Sequence, residues 1–463
     1  MNLTRRDWLL SSFGVGVGLA QSPRKLNVLM IAVDDLNNRL HCYGDQVVKT
    51  PNIDRLAKLG VRFDRSYCNY PLCNPSRTSL LSSLRPDKTK ILNNNVPPRT
   101  YIKDAVMLPE YFHNNGYFTA RVGKIAHGRF EDAVKWDISE FAMRGEVDTK
   151  QARKAQKKKR ERAGGGDGEP GKLTWLQTDN RDEQEPDGHT AVRISELIEK
   201  NRAKPFFIAA GFHKPHLPWV APKKYFDMYK PEMITLPDTP ADDLDDIPPI
   251  ALTHTAGEKG MSELERKKAI CAYHAATTFM DAQVGVLLNT MDRLKLWNNT
   301  VVFLFGDHGW HLNEHHGLWR KMTVFEQAAR APLIMAAPGR QKNAACPRLV
   351  EWVDFYPTLA ELCGLPKPKG LDGTSFVPLL DNPQRPWKKA AYTVVQHGST
   401  LGRSVRTERY RYTEWGTPSV AELYDHEGDP KEYRNLAKDP KQANVIRQLQ
   451  LLLNNPDLAK PGA

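Results

Sequence analysis

The chain has 463 residues, 40% hydrophobic and 26% charged, and 66 Lys and Arg stand against 54 Asp and Glu for a net charge of +12. That length exceeds one minimal core and suits a large domain with a smaller one, and the composition is that of a soluble globular protein, not of a disordered or fibrous one. The positive balance favours an anionic partner, whether a sulfated or phosphorylated ligand, nucleic acid or a membrane surface. No nucleic-acid-binding motif or stacking aromatic pattern accompanies it, so no nucleic-acid partner is expected.

In chain order, Arg5 and Arg6 precede an apolar stretch, Trp8 to Ala20, that is too short to span a bilayer. The frame Thr4-Arg5-Arg6-Asp7-Trp8-Leu9 resembles a twin-arginine export signal, and Gly18-Leu19-Ala20 offers small residues for cleavage. Residues 1–22 are therefore read as an export signal, with an ordinary Sec signal or an uncleaved anchor as the alternative. The mature protein is expected to be periplasmic or extracellular, with no membrane span.

Residues 23–380 are read as the large domain. Asn27–Val33 (NVLMIAV), Pro205–Gly211 (PFFIAAG) and Thr300–Phe305 (TVVFLF) are short continuous apolar runs, as in parallel strands buried on both faces. Helical patterns at Thr50–Leu59, Leu108–Asn115, His189–Asn201 and Glu263–Leu294 separate them. The alternation predicts an α/β fold: a large, mixed, mostly parallel sheet sandwiched by helices. Each run is followed at once by residues able to do chemistry, namely Asp34-Asp35, His213 and Asp307-His308. Ligands of such sheets bind beyond the carboxyl ends of the strands, so three strands deliver these groups to one edge. Core packing gives no reason for that convergence.

Within this domain, Lys150 to Arg162 (KQARKAQKKKRER) runs into a Gly-rich stretch, and residues 150–172 are read as a solvated, flexible insertion. A contact arm for a polyanionic substrate is the alternative. Residues 381–463 are read as a small C-terminal α+β subdomain, with strands at Ala391–Val395, Gly402–Arg406 and Tyr410–Trp415, a turn-rich Tyr424 to Pro430, and a helix near Gln442–Leu453. The six cysteines, at 42, 68, 73, 271, 346 and 363, contain no pair with metal-ligand spacing, which argues against zinc. If Cys73 is chemically committed, five remain and at least one stays a free thiol.

Cys73-Asn74-Pro75-Ser76-Arg77 leads into an apolar helical run, and Pro75 suits a helix start. Cys73 then sits where free N–H groups and the helix dipole favour anions, and Arg77 one turn on adds a fork that matches tetrahedral oxyanions. The bland alternative is a buried cysteine before a capped helix.

Cys73-x-Pro75-Ser76-Arg77 resembles the sulfatase signature, in which the cysteine becomes formylglycine (3-oxoalanine) through a dedicated formylglycine-generating enzyme. The resemblance spans nearly the whole chain. It takes in Asp34-Asp35, Thr50 to Leu56 (TPNIDRL), Gly123-Lys124 with His127, Gly211 to His216 (GFHKPH), Gly306 to Trp310 (GDHGW) and Glu422 to Asp425 (ELYD). His213-Lys214-Pro215-His216 and Asp307-His308-Gly309-Trp310 are similar to the iduronate-2-sulfatase branch of the family.

This resemblance implies an alkaline-phosphatase-like fold and a sulfuric ester hydrolase acting on a sulfated saccharide. It implies one Ca²⁺ held by Asp34, Asp35, Asp307, His308 and the modified Cys73. Oxygen donors suit that ion, although histidine is a less usual partner for it. Arg77, Lys124, His127, His213 and Lys321 are implied as the catalytic set. One hydroxyl of the hydrated aldehyde attacks sulfur; His213 protonates the leaving oxygen beside Lys321; His127 deprotonates the second hydroxyl to expel sulfate; Lys124 and Arg77 hold the diol and the developing charge. His216 is read as a structural hydrogen-bonding residue.

There are two departures from the family pattern. The signature continues as Leu81-Ser82-Ser83-Leu84-Arg85 where the family has Leu-Thr-Gly-Arg, yet the Cys-x-Pro-x-Arg core is retained and conversion is expected. Asn313 to Trp319 is one residue longer than the related loop, so Arg320 competes with Lys321 for the catalytic place. Two other functions stay open from the sequence: a phosphonate or phosphate monoester hydrolase of the same superfamily, and a non-catalytic polyanion-binding protein with an unconverted Cys73.

Overall fold

The computed structural model describes residues 25–142, 173–253, 258 and 260–462. Residues 1–22, read as an export signal, and residues 150–172, read as a flexible insertion, lie outside these residues. The main sheet has eight strands: β1 (Asn27–Val33), β2 (Val61–Tyr67), β3 (Phe118–Gly123), β4 (Ile138–Glu140), β6 (Phe206–Phe212), β8 (Thr300–Gly306), β11 (Leu333–Ala336) and β12 (Ala344–Glu351). Two-stranded ribbons flank it, β5 (Trp175–Thr178) with β7 (Trp219–Pro222) and β9 (His311–Asn313) with β10 (Leu318–Arg320). The order across the main sheet is β12-β2-β11-β8-β1-β6-β3-β4, and only β11 runs antiparallel to its neighbours.

The central strands read as unbroken apolar runs because both their faces are covered. Val28, Met30 and Ala32 of β1 join Phe207, Phe303 and Phe305 on one face, beneath Leu80 and Leu81 of helix Cys73–Ser82 and Phe355 of helix Phe355–Leu362. Leu29, Ile31 and Val33 point the other way and meet Ile194 and Leu197 of helix Pro186–Asn201 and Val284 and Leu287 of helix Glu263–Arg293. Each such large aliphatic or aromatic side chain contributes roughly 1.5–3 kcal/mol by leaving water. The result is the expected α/β architecture, a mixed, mostly parallel sheet between two helical layers.

Beyond the main sheet, β13 (Ala391–His397), β14 (Thr400–Arg406), β15 (Tyr410–Trp415) and β16 (Thr417–Asp425) form an antiparallel meander. Leu449 and Leu453 of helix Ala443–Asn454 pack against Tyr392, Val405 and Tyr412. Val394, Val395 and Trp415 instead meet Tyr70, Leu318 and Phe325 of the large domain.

A buried charge cluster lies at this join. Glu326 accepts from the Tyr67 hydroxyl at 2.9 Å, Arg406 Nε at 3.0 Å and Arg411 Nη2. Glu432 accepts from Arg411 Nε at 2.6 Å and the Glu326 amide at 2.7 Å. No helix among the described residues is long and apolar enough to cross a membrane.

Candidate active site

Four neighbouring parallel strands, β8, β1, β6 and β3, end on one edge in matched register: Val33 pairs with Gly306 and Phe212, and Gly123 pairs with Gly211. The next residues along the chain are Asp307-His308, Asp34-Asp35, His213 and Lys124, so the register itself gathers them. Gly123 turns the chain with φ of 82°, and a Cβ there would collide with the Gly211 carbonyl. Cys73 opens its helix above this edge, with Leu72 in extended conformation before it.

One oxygen each of Asp34, Asp35 and Asp307 lies within 4.8 Å of the others, and all three residues are buried. Arg77 spans two of them, with Nη2 3.1 Å from Asp34 Oδ1 and Nε 2.9 Å from Asp307 Oδ2. Lys124 Nζ donates to Asp34 Oδ2 at 2.6 Å, and Lys321 Nζ donates to Asp35 Oδ1. Cys73 Sγ is 3.5 Å from His308 Nε2 and 3.7 Å from Lys321 Nζ. Three fixed cations thus face three carboxylates around one sulfur.

Burial opposes ionisation of Asp34, but Lys124, His216 and Arg77 hold its carboxyl well below the usual range. Burial, reinforced by Asp34, pushes the Cys73 thiol up to about 12, so as a thiol it stays protonated and weakly nucleophilic near neutrality. Burial and the neighbouring Lys124 push His127 down to about 3, which leaves its ring a neutral base. His213 is also held well below the histidine range, by burial first and then by Lys214 and His216. Its side chain keeps 36% exposure, so solvent screening tempers that shift.

A family model described as Sulfatase matches residues 26–365. The chain belongs to the sulfatase family. A second model, N-sulphoglucosamine sulphohydrolase, C-terminal, matches residues 314–457 of this sulfatase. A sulfatase of Formosa agariphila is 33% identical, over 93% of this chain and 86% of the relative. The iduronate 2-sulfatase of Homo sapiens is 30% identical, over 92% of this chain and 93% of its own. Among solved structures, the fold is shared with a phosphonate monoester hydrolase of Agrobacterium radiobacter, at a TM-score of 0.78 and 20% identity over 93% and 95% of the two chains. It is shared as well with a 2-O GAG sulfatase, at a TM-score of 0.74 and 24% identity over 94% and 92%. The protein is a sulfuric ester hydrolase near the iduronate-2-sulfatase group.

The sulfatase gathers every candidate residue read from the sequence at one place: Asp34, Asp35, Cys73, Arg77, Lys124, His127, His213, Asp307, His308 and Lys321 all border the cluster. At the disputed position Lys321 points into it, whereas Arg320 turns away to pair with Glu258. His216, read from the sequence as a structural hydrogen-bonding residue in a neighbourhood that makes substrate contact plausible, places Nε2 3.8 Å from Asp35 Oδ2. The sequence reading missed Tyr273 altogether. The Tyr273 hydroxyl donates to the Asp35 carbonyl at 2.8 Å and accepts from the Asn37 amide at 2.9 Å, bracing Asp35 at a left-handed φ of 60°. A tyrosine inside a long helix carries no local mark of that role.

The donor set fits a hard divalent cation. Asp35 Oδ2 is buried and has no hydrogen-bond partner, a costly arrangement for a carboxylate oxygen unless a ligand takes it up. His308 Nε2 lies 3.4 Å from Asp35 Oδ1 and 3.7 Å from Asp307 Oδ2, beside the same space.

Proposed function

We propose that this sulfatase removes a sulfate ester from a sulfated saccharide in the manner of an iduronate-2-sulfatase, using a formylglycine made from Cys73 and one Ca²⁺ held by Asp34, Asp35, Asp307 and His308 with the modified Cys73. One observation carries the reading: a buried carboxylate oxygen without a hydrogen bond among the described residues, in a triad of aspartates that shares its space with Cys73 and three fixed cations. The saccharide class is supported by the 30% identity to an iduronate 2-sulfatase across 92% of the chain.

Bound calcium would supply positive charge against the sulfate oxygens and ease deprotonation beside them. The aldehyde would supply, once hydrated, a hydroxyl nucleophile for sulfur and a second hydroxyl whose deprotonation releases sulfate.

The chain's own residues do the rest. Arg77 is locked between Asp34 and Asp307, so it meets developing negative charge without reorganising. Lys124 and Lys321 bring two more cations to the reacting position, one held on Asp34 and the other on Asp35. His213, the most exposed of the set, lies on the solvent side where the leaving alcohol departs, and protonates its oxygen; the incoming ester's negative charge favours that protonated form. His127, neutral and half-buried, accepts the proton in the release step.

The reading extends to maturation: a formylglycine-generating enzyme acts on Cys73, and residues 1–22 direct export. Paired kcat/KM values on 4-nitrophenyl sulfate and 4-nitrophenyl phosphate test the chemistry, with sulfate expected to be preferred; preference for phosphate would move the enzyme to the phosphate or phosphonate monoester hydrolases. Mass spectrometry of the Cys73 peptide is expected to show the aldehyde. An intact thiol in fully active protein would end the formylglycine reading. Defined sulfated oligosaccharides then identify the sugar and the sulfate position.

A further inference from the structure

Lys321 sits in a stretch of backbone that few side chains tolerate. Arg320 and Met322, its two neighbours, have φ of 71° and 77°, and Asn313, His315 and His316 upstream also lie in the left-handed region. Each such non-glycine residue is strained and persists only where its surroundings over-determine it. Something must therefore hold the turn that aims Lys321 at Asp35 and Cys73.

The strongest restraint comes from the other subdomain. His397, the last residue of β13, places Nε2 2.6 Å from the Met322 carbonyl and Nδ1 2.5 Å from the Ile250 carbonyl. Its ring stacks on Trp415 of β15, with centroids 5.0 Å apart and planes at 29°. Trp415 in turn donates its indole N–H to Glu422, so the ring's platform is fixed. A carbonyl oxygen only accepts, and the neutral imidazole has one N–H. Both contacts are hydrogen bonds only when both ring nitrogens carry a proton. Two further bonds close the turn, from the Met322 amide to the Pro71 carbonyl at 3.2 Å and from the Thr253 hydroxyl to the Lys321 carbonyl at 3.5 Å.

We propose that His397 is a positioning residue for the sulfatase reaction: as a two-proton donor anchored in the C-terminal sheet, it clamps the Met322 carbonyl against the 250 segment and thereby sets where Lys321 Nζ lies. The inference rests on Lys321 belonging to the catalytic set. It gives the C-terminal subdomain a part in catalysis that no residue of that subdomain takes by touching the cluster described above.

The test compares His397→Ala, His397→Gln and Lys321→Ala in the full-length, matured enzyme, with 4-nitrophenyl sulfate as substrate. An ångström of misplacement at a reacting group costs about 10²-fold. For His397→Ala, kcat is expected to fall about 10- to 100-fold with KM changed less than about threefold, and His397→Gln, which keeps a donor to one carbonyl, is expected to fall between it and wild type. Added imidazole, which carries two N–H groups when protonated, is expected to restore kcat to His397→Ala; 1-methylimidazole, with one, is not.

Deuterium uptake in the peptide spanning residues 318–324 is expected to rise in His397→Ala while uptake in β1 and β8 stays at the wild-type level. This readout holds even for a variant with no measurable turnover. Unchanged kcat and unchanged uptake in His397→Ala, beside a Lys321→Ala enzyme that has lost activity, would overturn the positioning role alone. A fully active Lys321→Ala enzyme would overturn the catalytic reading on which it rests. Equal rescue by imidazole and 1-methylimidazole would overturn the two-donor clamp.

Discussion

Two clusters among the described residues bury acid and base side by side and bring possible metal ligands together. Asp34, Asp35 and Asp307 form one; Glu326, His426 and Glu432 form the other, and in each the ligand atoms lie within 4.8 Å of one another. The second is closed. Both oxygens of Glu326 and both of Glu432 accept hydrogen bonds, from Tyr67, Arg406, Arg411, Arg330, His426 and the Glu326 amide. The first is open, for Asp35 Oδ2 has no hydrogen-bond partner among the described residues, and His216 Nε2 stands 3.8 Å from it. Proximity of ligand atoms does not make a site. An acceptor without a hydrogen bond, held at a left-handed backbone position beside Cys73, separates the first cluster from one whose carboxylates are all engaged.

The difference predicts opposite phenotypes. The largest effect belongs to the open cluster: Asp35→Asn is expected to lower kcat/KM on 4-nitrophenyl sulfate by on the order of 10³-fold. Asp35 also pairs with Lys321, so some stability is lost with it, and the fall in kcat/KM should persist in the fraction that denaturant titration shows to be folded. Arg411→Met in the closed cluster reverses this. Losing one partner of a buried ion pair costs about 3–5 kcal/mol, read in the same titration, while the folded fraction keeps kcat within about twofold. A loss of activity in Arg411→Met larger than its loss of stability explains would break the comparison.

A smaller effect is written in the pH dependence of stability. Against the cost of burial, Arg411 and His426 bring Glu432 down to about 2, and Arg406 and Arg411 hold Glu326 well below its usual value. Carboxyls depressed in this way stabilise the fold fully above their unfolded value near 4.3. That contribution is lost as pH falls from about 4.5 toward 2. Glu422, buried beneath Trp415, has the opposite sign: burial raises it to about 7, so its contribution is whole below its unfolded value and is lost as pH rises through about 7. Unfolding free energies measured from pH 3 to 9 should therefore decline at both ends, and Glu422→Gln should flatten the alkaline side alone. The smallest effect is expected from deleting Lys150–Arg162, which should leave aryl sulfate turnover within about twofold. A large loss there would make that segment a substrate arm.

How far the fold was legible depended on how each element buries itself. β1 lies at the range read from the sequence, and β6 and β8 are displaced or extended by a single residue, because a strand covered on both faces is an apolar run with nothing else to be. β2 (VRFDRSY) and β3 (FTARVG) went unread, since charged residues interrupt them. Arg121 of β3 is fully buried, with Nη1 donating to the Gly123 and Glu140 carbonyls, a tertiary arrangement that no local pattern announces. β11 is four residues long and antiparallel, too short to assert a period. At the C-terminus the stretch beginning at Tyr424 reads as a turn, yet β16 carries Tyr424 and Asp425 because Tyr410 and Arg411 pair with them across the sheet.

The candidate site was more legible than the fold, because its residues follow strand ends or stand in short motifs. The rest was not. Tyr273 braces Asp35 from the middle of a helix, and His397 reaches the turn around Lys321 from a different subdomain. Both act through contacts between residues far apart in sequence, where spacing carries no information.

Metal analysis of the purified enzyme tests the open cluster most directly. After exhaustive dialysis against calcium-free buffer, inductively coupled plasma mass spectrometry should find stoichiometric calcium on wild-type protein and on Glu432→Gln, and almost none on a folded Asp35→Asn variant. Fully active wild-type enzyme that carries no divalent metal, or an Asp35→Asn protein that retains the full complement, would contradict the account.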